Sequence, residues 1–141
     1  MARVRLRRSS PGTGTIPNRV SPPRPDLVAV ARIPDYALGP HTASLGLAFN
    51  TAEGWPSHLA DGAFIGQHGS WNRSTLSGYK VVFVPFTNGK PGKPEDFLTG
   101  FMANLNKGEV YGRPVGVAVA KDGSLLVADD ASNCIWRVSV K

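Results

Sequence analysis

The body of the chain repeats itself, and that repeat constrains the fold more than any other feature. Leu45-Gly46-Leu47-Ala48-Phe49 matches Val115-Gly116-Val117-Ala118-Val119 position by position. The first run is followed by Asp61-Gly62-Ala63-Phe64-Ile65-Gly66, and the second by Asp122-Gly123-Ser124-Leu125-Leu126-Val127-Ala128. Each unit then has a polar turn and a third apolar run, Tyr79 to Phe86 in one and Cys134 to Val140 in the other. Strand, Asp-Gly turn, strand, turn, strand is the sequence form of a β-propeller blade. The Asp-Gly pairs are expected to supply the positive φ of a tight hairpin. Trp136-Arg137-Val138-Ser139-Val140 alternates like an outer strand with one wet face, whereas Leu125-Leu126-Val127-Ala128 reads as an inner strand packed on both sides. A fourth strand is expected in the first unit near 96–101, and only three in the second. Trp71 and Trp136 are expected to pack between blades, and Cys134 to be a small core residue.

No helical period is sustained in this region, apart from a short turn expected near 102–106. No apolar run approaches the ~18 residues of a membrane-spanning helix. A lone cysteine, Cys134, excludes an intrachain disulfide and a Cys-cluster zinc site. The three histidines, His41, His58 and His68, are too scattered in sequence to read as a His-rich metal site. Glycine and proline make up roughly a fifth of the chain, below the level of a low-complexity sequence.

The net charge of +6 is unevenly placed. Residues 1–25 carry six arginines (Arg3, Arg5, Arg7, Arg8, Arg19, Arg24), five prolines and no acid, while residues 26–141 carry ten basic and ten acidic side chains. The sequence thus divides into a basic tail, 1–25, expected to be disordered, and a β-rich body, 26–141. Arg-rich tails attract polyanions, but residues 1–25 hold no aromatic side chain for base stacking and no nucleic-acid-binding fold follows, so no nucleic acid is expected as a partner. Arg7-Arg8 lacks the apolar stretch of an export signal behind it. In the body, Leu27-Val28-Ala29-Val30-Ala31 is the better candidate for an early strand.

Four segments carry a family resemblance. They are Pro40–Phe49, Gly62-Ala63-Phe64-Ile65-Gly66-Gln67-His68-Gly69-Ser70-Trp71-Asn72-Arg73, Gly78–Phe86, and Tyr111-Gly112-Arg113-Pro114-Val115-Gly116-Val117-Ala118. Together they resemble the C-terminal part of the glucose/sorbosone dehydrogenase family, with the L-sorbosone dehydrogenases as the nearest branch. The resemblance runs from about Asp35 to the end of the chain. It implies an all-β fold, an incomplete β-propeller of about two blades out of six, which binds pyrroloquinoline quinone (PQQ) and oxidises sugars or related aldehydes. It also implies a periplasmic or secreted location. Propellers remove strand edges by closing at about four to eight blades, so two blades alone imply a portion of a larger propeller, assembly with other chains, or low stability. Self-association through open edges is one expected consequence.

PQQ carries three carboxylates and gains charge on its quinone oxygens when reduced, so cationic residues belong beside it. The resemblance assigns Arg113 to the arginine that touches the quinone. Where some relatives carry a second arginine two positions later, this chain has Val115. His68 stands near a cationic cofactor ligand of the family, Arg73 lies on the adjoining loop, and His41 precedes the first strand of its unit. Calcium in this family is held by middle blades, and the histidine base comes from an early blade, so no metal ligand and no catalytic residue are assigned here and the chain alone is expected to be inactive. Asp129-Asp130 is read as a strand end that caps its turn rather than as a calcium site. Two rival readings are a non-catalytic propeller that presents loops to a partner and a calcium-dependent lactonase-like propeller.

Overall fold

The computed structural model describes residues 25–105 and 107–140. Residues 1–24, nearly all of the basic tail, lie outside the described residues. The chain divides into two units, Met1–Gly39 and Pro40–Lys141. In the first, Pro25–Val30 forms a short exposed helix, α1, with Asp26 in its first turn. The strand expected over Leu27–Ala31 is therefore absent. Proline at the first helical position and an acid beside the helix N-terminus favour the turn, and among the described residues nothing pairs the segment as a strand.

The second unit is all-β, with a curled half-barrel sheet. Its strands are β1 (Ser44–Phe49), β2 (Gly62–Gln67), β3 (Lys80–Thr87), β4 (Lys90–Pro91), β5 (Glu95–Leu98), β6 (Met102–Asn104), β7 (Glu109–Val110), β8 (Pro114–Val119), β9 (Leu125–Asp129) and β10 (Cys134–Val138). One sheet runs β1-β2-β3, with β4 and β5 both paired to β3, and a second runs β10-β9-β8. All pairings are antiparallel. β6 and β7 make a small hairpin between the two in sequence. The repeat is visible in the strands themselves, for β1 and β8 begin and end at corresponding positions of their units. β5 is the expected fourth strand of the first unit, and the turn expected at 102–106 is a strand over its first three residues.

The sheets meet through glycine. A Cβ on Gly46 in β1 would fall 2.8 Å from Val117 N and 2.9 Å from Gly116 Cα in β8, and one on Gly66 in β2 would fall 2.8 Å from Val115 O. Backbone therefore packs on backbone where the sheets converge, and any side chain there would force them apart. Away from this seam the core consists of Leu59, Phe64, Val81, Phe83, Leu125 and Val127, with Trp55, Phe97, Val117, Val119 and Val138 packed against it. Phe64 is its centre, with ring centroids 4.9 Å from Phe83, 4.7 Å from Phe97 and 5.4 Å from Trp55. Trp55 also donates its indole N–H to Gly123 O across the sheets at 3.0 Å.

Several side-chain expectations are corrected. Gly123 has the positive φ expected of an Asp-Gly turn (82°), but Gly62 does not; its role is to let β2 pass the Phe83 ring, which a Cβ would overlap. Trp71 does not pack between sheets, being 85% exposed on the loop after β2. Trp136 is 45% exposed and is held at its edge by a hydrogen bond to Asp129 and a ring contact with Phe101. Cys134 is half-buried, with its sulfur 3.0 Å from Ser132 Oγ, rather than a core residue.

Candidate functional site

The site lies where β2 ends and β8 and β9 begin and end, at one end of the seam between the sheets. Arg113, on the approach to β8, donates from Nε to His68 O (3.1 Å) and from Nη2 to Gly69 O (3.2 Å). Those carbonyls close β2, so the guanidinium ties the end of one sheet to the start of the other. Beneath it lies the buried Tyr79 ring, 5.3 Å from the Arg113 Cζ, a cation–π contact. Tyr79 has φ 58° and donates its hydroxyl to Ser70 O. Gly69 is obligatory beside it: its φ is +96° and a Cβ would collide with the Tyr79 ring.

The other support of Arg113 is Asp129, at the end of β9. Its Oδ1 accepts the Arg113 N–H (2.8 Å) and the N–H groups of Ala131 (3.2 Å) and Ser132 (3.1 Å), and its Oδ2 accepts the Trp136 indole N–H (3.0 Å). Burial alone would raise the pKa of this carboxyl, but the hydrogen bonds from Arg113, Trp136 and Ser132 outweigh it and lower it to about 2. Asp129 therefore caps a turn and anchors Arg113; with both oxygens engaged by N–H donors it is no free metal ligand. Gly112 makes room for it, since a Cβ there would overlap Asp129 Oδ2.

His68 is half-buried, and its Nε2 lies 3.0 and 3.1 Å from the two oxygens of exposed Asp130. With the His68 N–H bonded to Ala43 O, the residue is fixed at both backbone and ring. Arg113 and His68 are thus brought together. Arg73 is not part of that pair: its Nη1 donates to Pro40 O (3.2 Å) and Ser77 Oγ (3.1 Å), closing the loop that follows β2. His41 is exposed with φ 58°, on the segment whose next residue, Thr42, accepts the Gly69 N–H. Beside the pair is a shallow depression of about 390 Å³ lined by Val115, Ala128, Asp129, Asp130, Asn133, Cys134 and Ile135. Among the described residues no three His, Cys, Asp or Glu side chains cluster to hold a metal.

Sequence reasoning missed Tyr79, Gly69 and the anchoring role of Asp129. Gly78-Tyr79 ahead of an apolar run is an available turn signal for the first, but the ring's place under Arg113 depends on two segments far apart in the chain. The donor set suits a planar anion. Arg113 presents a half-buried cation whose Nη1 has no protein partner among the described residues, and the Asp130 carboxylate is in contact with the His68 ring. Arg113 is the residue here whose chemistry suits a carboxylated ligand.

Comparison with known proteins places these features in a family. A family model described as TrAA12-like matches residues 28–141. A PQQ-dependent pyranose dehydrogenase from Coprinopsis cinerea is 30% identical over 122 residues, covering 74% of this chain and 16% of that protein. The holo form of the pyranose dehydrogenase PQQ domain from Coprinopsis cinerea superposes with a TM-score of 0.60 at 32% identity, over 77% of this chain and 29% of that one. A calcium structure of a carbohydrate-active enzyme of family AA12 from Trichoderma reesei gives 0.55 at 28% identity, over 67% and 24%. An uncharacterised protein of Borreliella burgdorferi is 37% identical over 105 residues, covering 73% of this chain and 27% of its own length. The chain therefore spans less than a third of the length of each of these relatives. The family match itself extends over most of the chain, which belongs to the TrAA12-like family.

Proposed function

We propose that the two sheets are neighbouring blades of a β-propeller and that their shared end forms part of a PQQ site in a sugar-oxidising enzyme. The substrate class proposed is a pyranose, as in the name of the similar pyranose dehydrogenase, with a related aldehyde such as sorbosone as the alternative drawn from the sequence resemblance. The observation that carries this reading is Arg113, a guanidinium held at the seam by two carbonyls and an aromatic face, on a backbone whose N–H is anchored by the buried Asp129 carboxylate.

PQQ, when bound, supplies an acceptor for the hydride that leaves the sugar carbon. The residues of this chain bind and orient. Arg113 would hold a cofactor carboxylate or quinone oxygen, where a preorganised cation is worth most because it needs no reorganisation as charge develops. His68, with Nε2 on Asp130, would stand at the edge of that contact. We assign the proton acceptor for the sugar hydroxyl, and the calcium ligands, to no residue here; on this reading the blades supply cofactor contacts and turnover requires the other blades. A periplasmic or extracellular location is part of the same proposal.

Titration with PQQ, followed by melting and by quinone absorbance, tests it. A ligand present at 100 times its Kd and bound only to the folded state adds about 2.7 kcal/mol of stability. Wild-type protein is expected to show that gain. Arg113→Ala is expected to lose it, and Arg113→Lys to keep part of it, each measured against its own PQQ-free baseline. No response to PQQ in wild type, or an undiminished one in Arg113→Ala, sinks the proposal.

A further inference from the structure

The loop after β2 is built around a side chain that the cofactor reading leaves unused. Ser70 and Ser77 close it: the Ser70 N–H donates to Ser77 O (2.9 Å) and the Ser77 N–H to Ser70 Oγ (3.0 Å). Arg73 clamps the same loop, donating to Ser77 Oγ and Pro40 O, and Ser77 Oγ itself donates to Pro40 O at 3.2 Å. At the far side Leu76 comes within 3.9 Å of where a Cβ on Gly108 would stand, so the loop lies along the β6–β7 turn that leads to Tyr111 and Arg113. What this anchored loop displays is Trp71, 85% exposed, two residues beyond the Gly69 carbonyl held by Arg113. Tyr111, two residues before Arg113, is 73% exposed.

An indole left in water forgoes most of the burial free energy that an aromatic side chain can gain. The two rings stand on loops tied to the same guanidinium, one through the Gly69 carbonyl that Arg113 holds and one through Arg113 itself. The chemistry of such a ring is specific: a flat apolar face with a polar edge complements the C–H face of a ring sugar, whereas an open-chain polyol has no such face. We infer that Trp71 is a stacking platform for the pyranose ring of the substrate, with Tyr111 extending the surface, and that the Ser70–Ser77 closure and Arg73 serve to present it. This inference rests on the sugar-oxidising reading above.

Acrylamide quenching of tryptophan fluorescence tests it in the full chain, with D-glucose as probe and D-mannitol as the acyclic control. Wild-type protein minus Trp71→Phe isolates the signal of Trp71. Glucose is expected to shield that signal and mannitol to leave it unchanged. In calorimetry Trp71→Phe should bind glucose within about threefold of wild type, and Trp71→Ala roughly ten-fold more weakly. Because Trp71 lies outside the core, both variants keep the wild-type melting temperature. Unshielded Trp71 at saturating glucose, or equal glucose affinity in Trp71→Ala, overturns the inference. Quinone absorbance on the same samples separates the two readings: if PQQ binds but Trp71 stays unshielded, the platform alone falls; if neither binds, both fall.

Discussion

Asp129 concentrates much of the site's structural dependence in one carboxylate. It is 3% exposed, and its charge is held by N–H groups from three different segments: the β8 approach, its own turn and β10. Its pKa falls from 3.8 to about 2 on folding, so its contribution is complete above pH 4 and is lost as pH falls through about 2. That shift corresponds to about 2 kcal/mol. Urea unfolding between pH 2 and 5 is expected to show this slope in wild type and not in Asp129→Asn. At pH 7 the variant should be less stable by about 1–3 kcal/mol, since the Arg113 and Ser132 N–H groups lose a charged acceptor. A wild-type profile as flat as that of the variant would show that the carboxylate does not carry this load. The sequence already marked Asp129-Asp130 as a capped strand end, because an acidic pair after an apolar run more often caps a turn than gathers the oxygens of a calcium site. Its partners at 113 and 136 were invisible, since only the sheet brings them together.

At the scale of strands, the internal repeat carried almost the whole pattern: β1 and β8, the Asp122-Gly123 turn, and the apolar runs that became β3 and β10. Local alternation and turn residues are enough for that. The facing of β1 and β2 onto β8 was not legible, because nothing in a glycine says whether it serves a turn or a close approach. Gly46 and Gly54 separate those two roles. Gly54 has φ +85° with open space around it, while Gly46 abuts Val117 N and Gly116 Cα. Gly54→Ala should therefore cost about 1 kcal/mol of backbone strain. Gly46→Ala should cost about 3 kcal/mol or more, since only a shift of a whole sheet makes room. Thermal melting of the pair decides the matter; equal losses would mean that the seam is soft enough to absorb a methyl group.

For the β body as a whole, the surfaces left open matter as much as the core. β10 and β5 are the outer strands of their sheets, but their edges differ. β5 carries Glu95 and Asp96, the latter paired with Lys80, and such charges discourage pairing with another chain. β10 shows Ile135, 68% exposed, beside the apolar depression that also contains Val115 and Ala128. Its one charge, Arg137, is engaged with Asp122. The charges of residues 26–141 balance, so the β body itself adds no net repulsion between two such edges; the +6 of the chain sits in residues 1–25. In the chain by itself this edge meets water or a second copy. Sedimentation is expected to show concentration-dependent association in the micromolar range or above. Ile135→Lys should suppress it, because a buried lysine in a strand-to-strand contact loses its hydration without gaining a partner. A Glu95→Lys variant, altered at the charged edge, should associate like wild type. Association that Ile135→Lys leaves intact would place the contact elsewhere, and a monomer at all concentrations would mean that the β10 edge is protected by something other than charge.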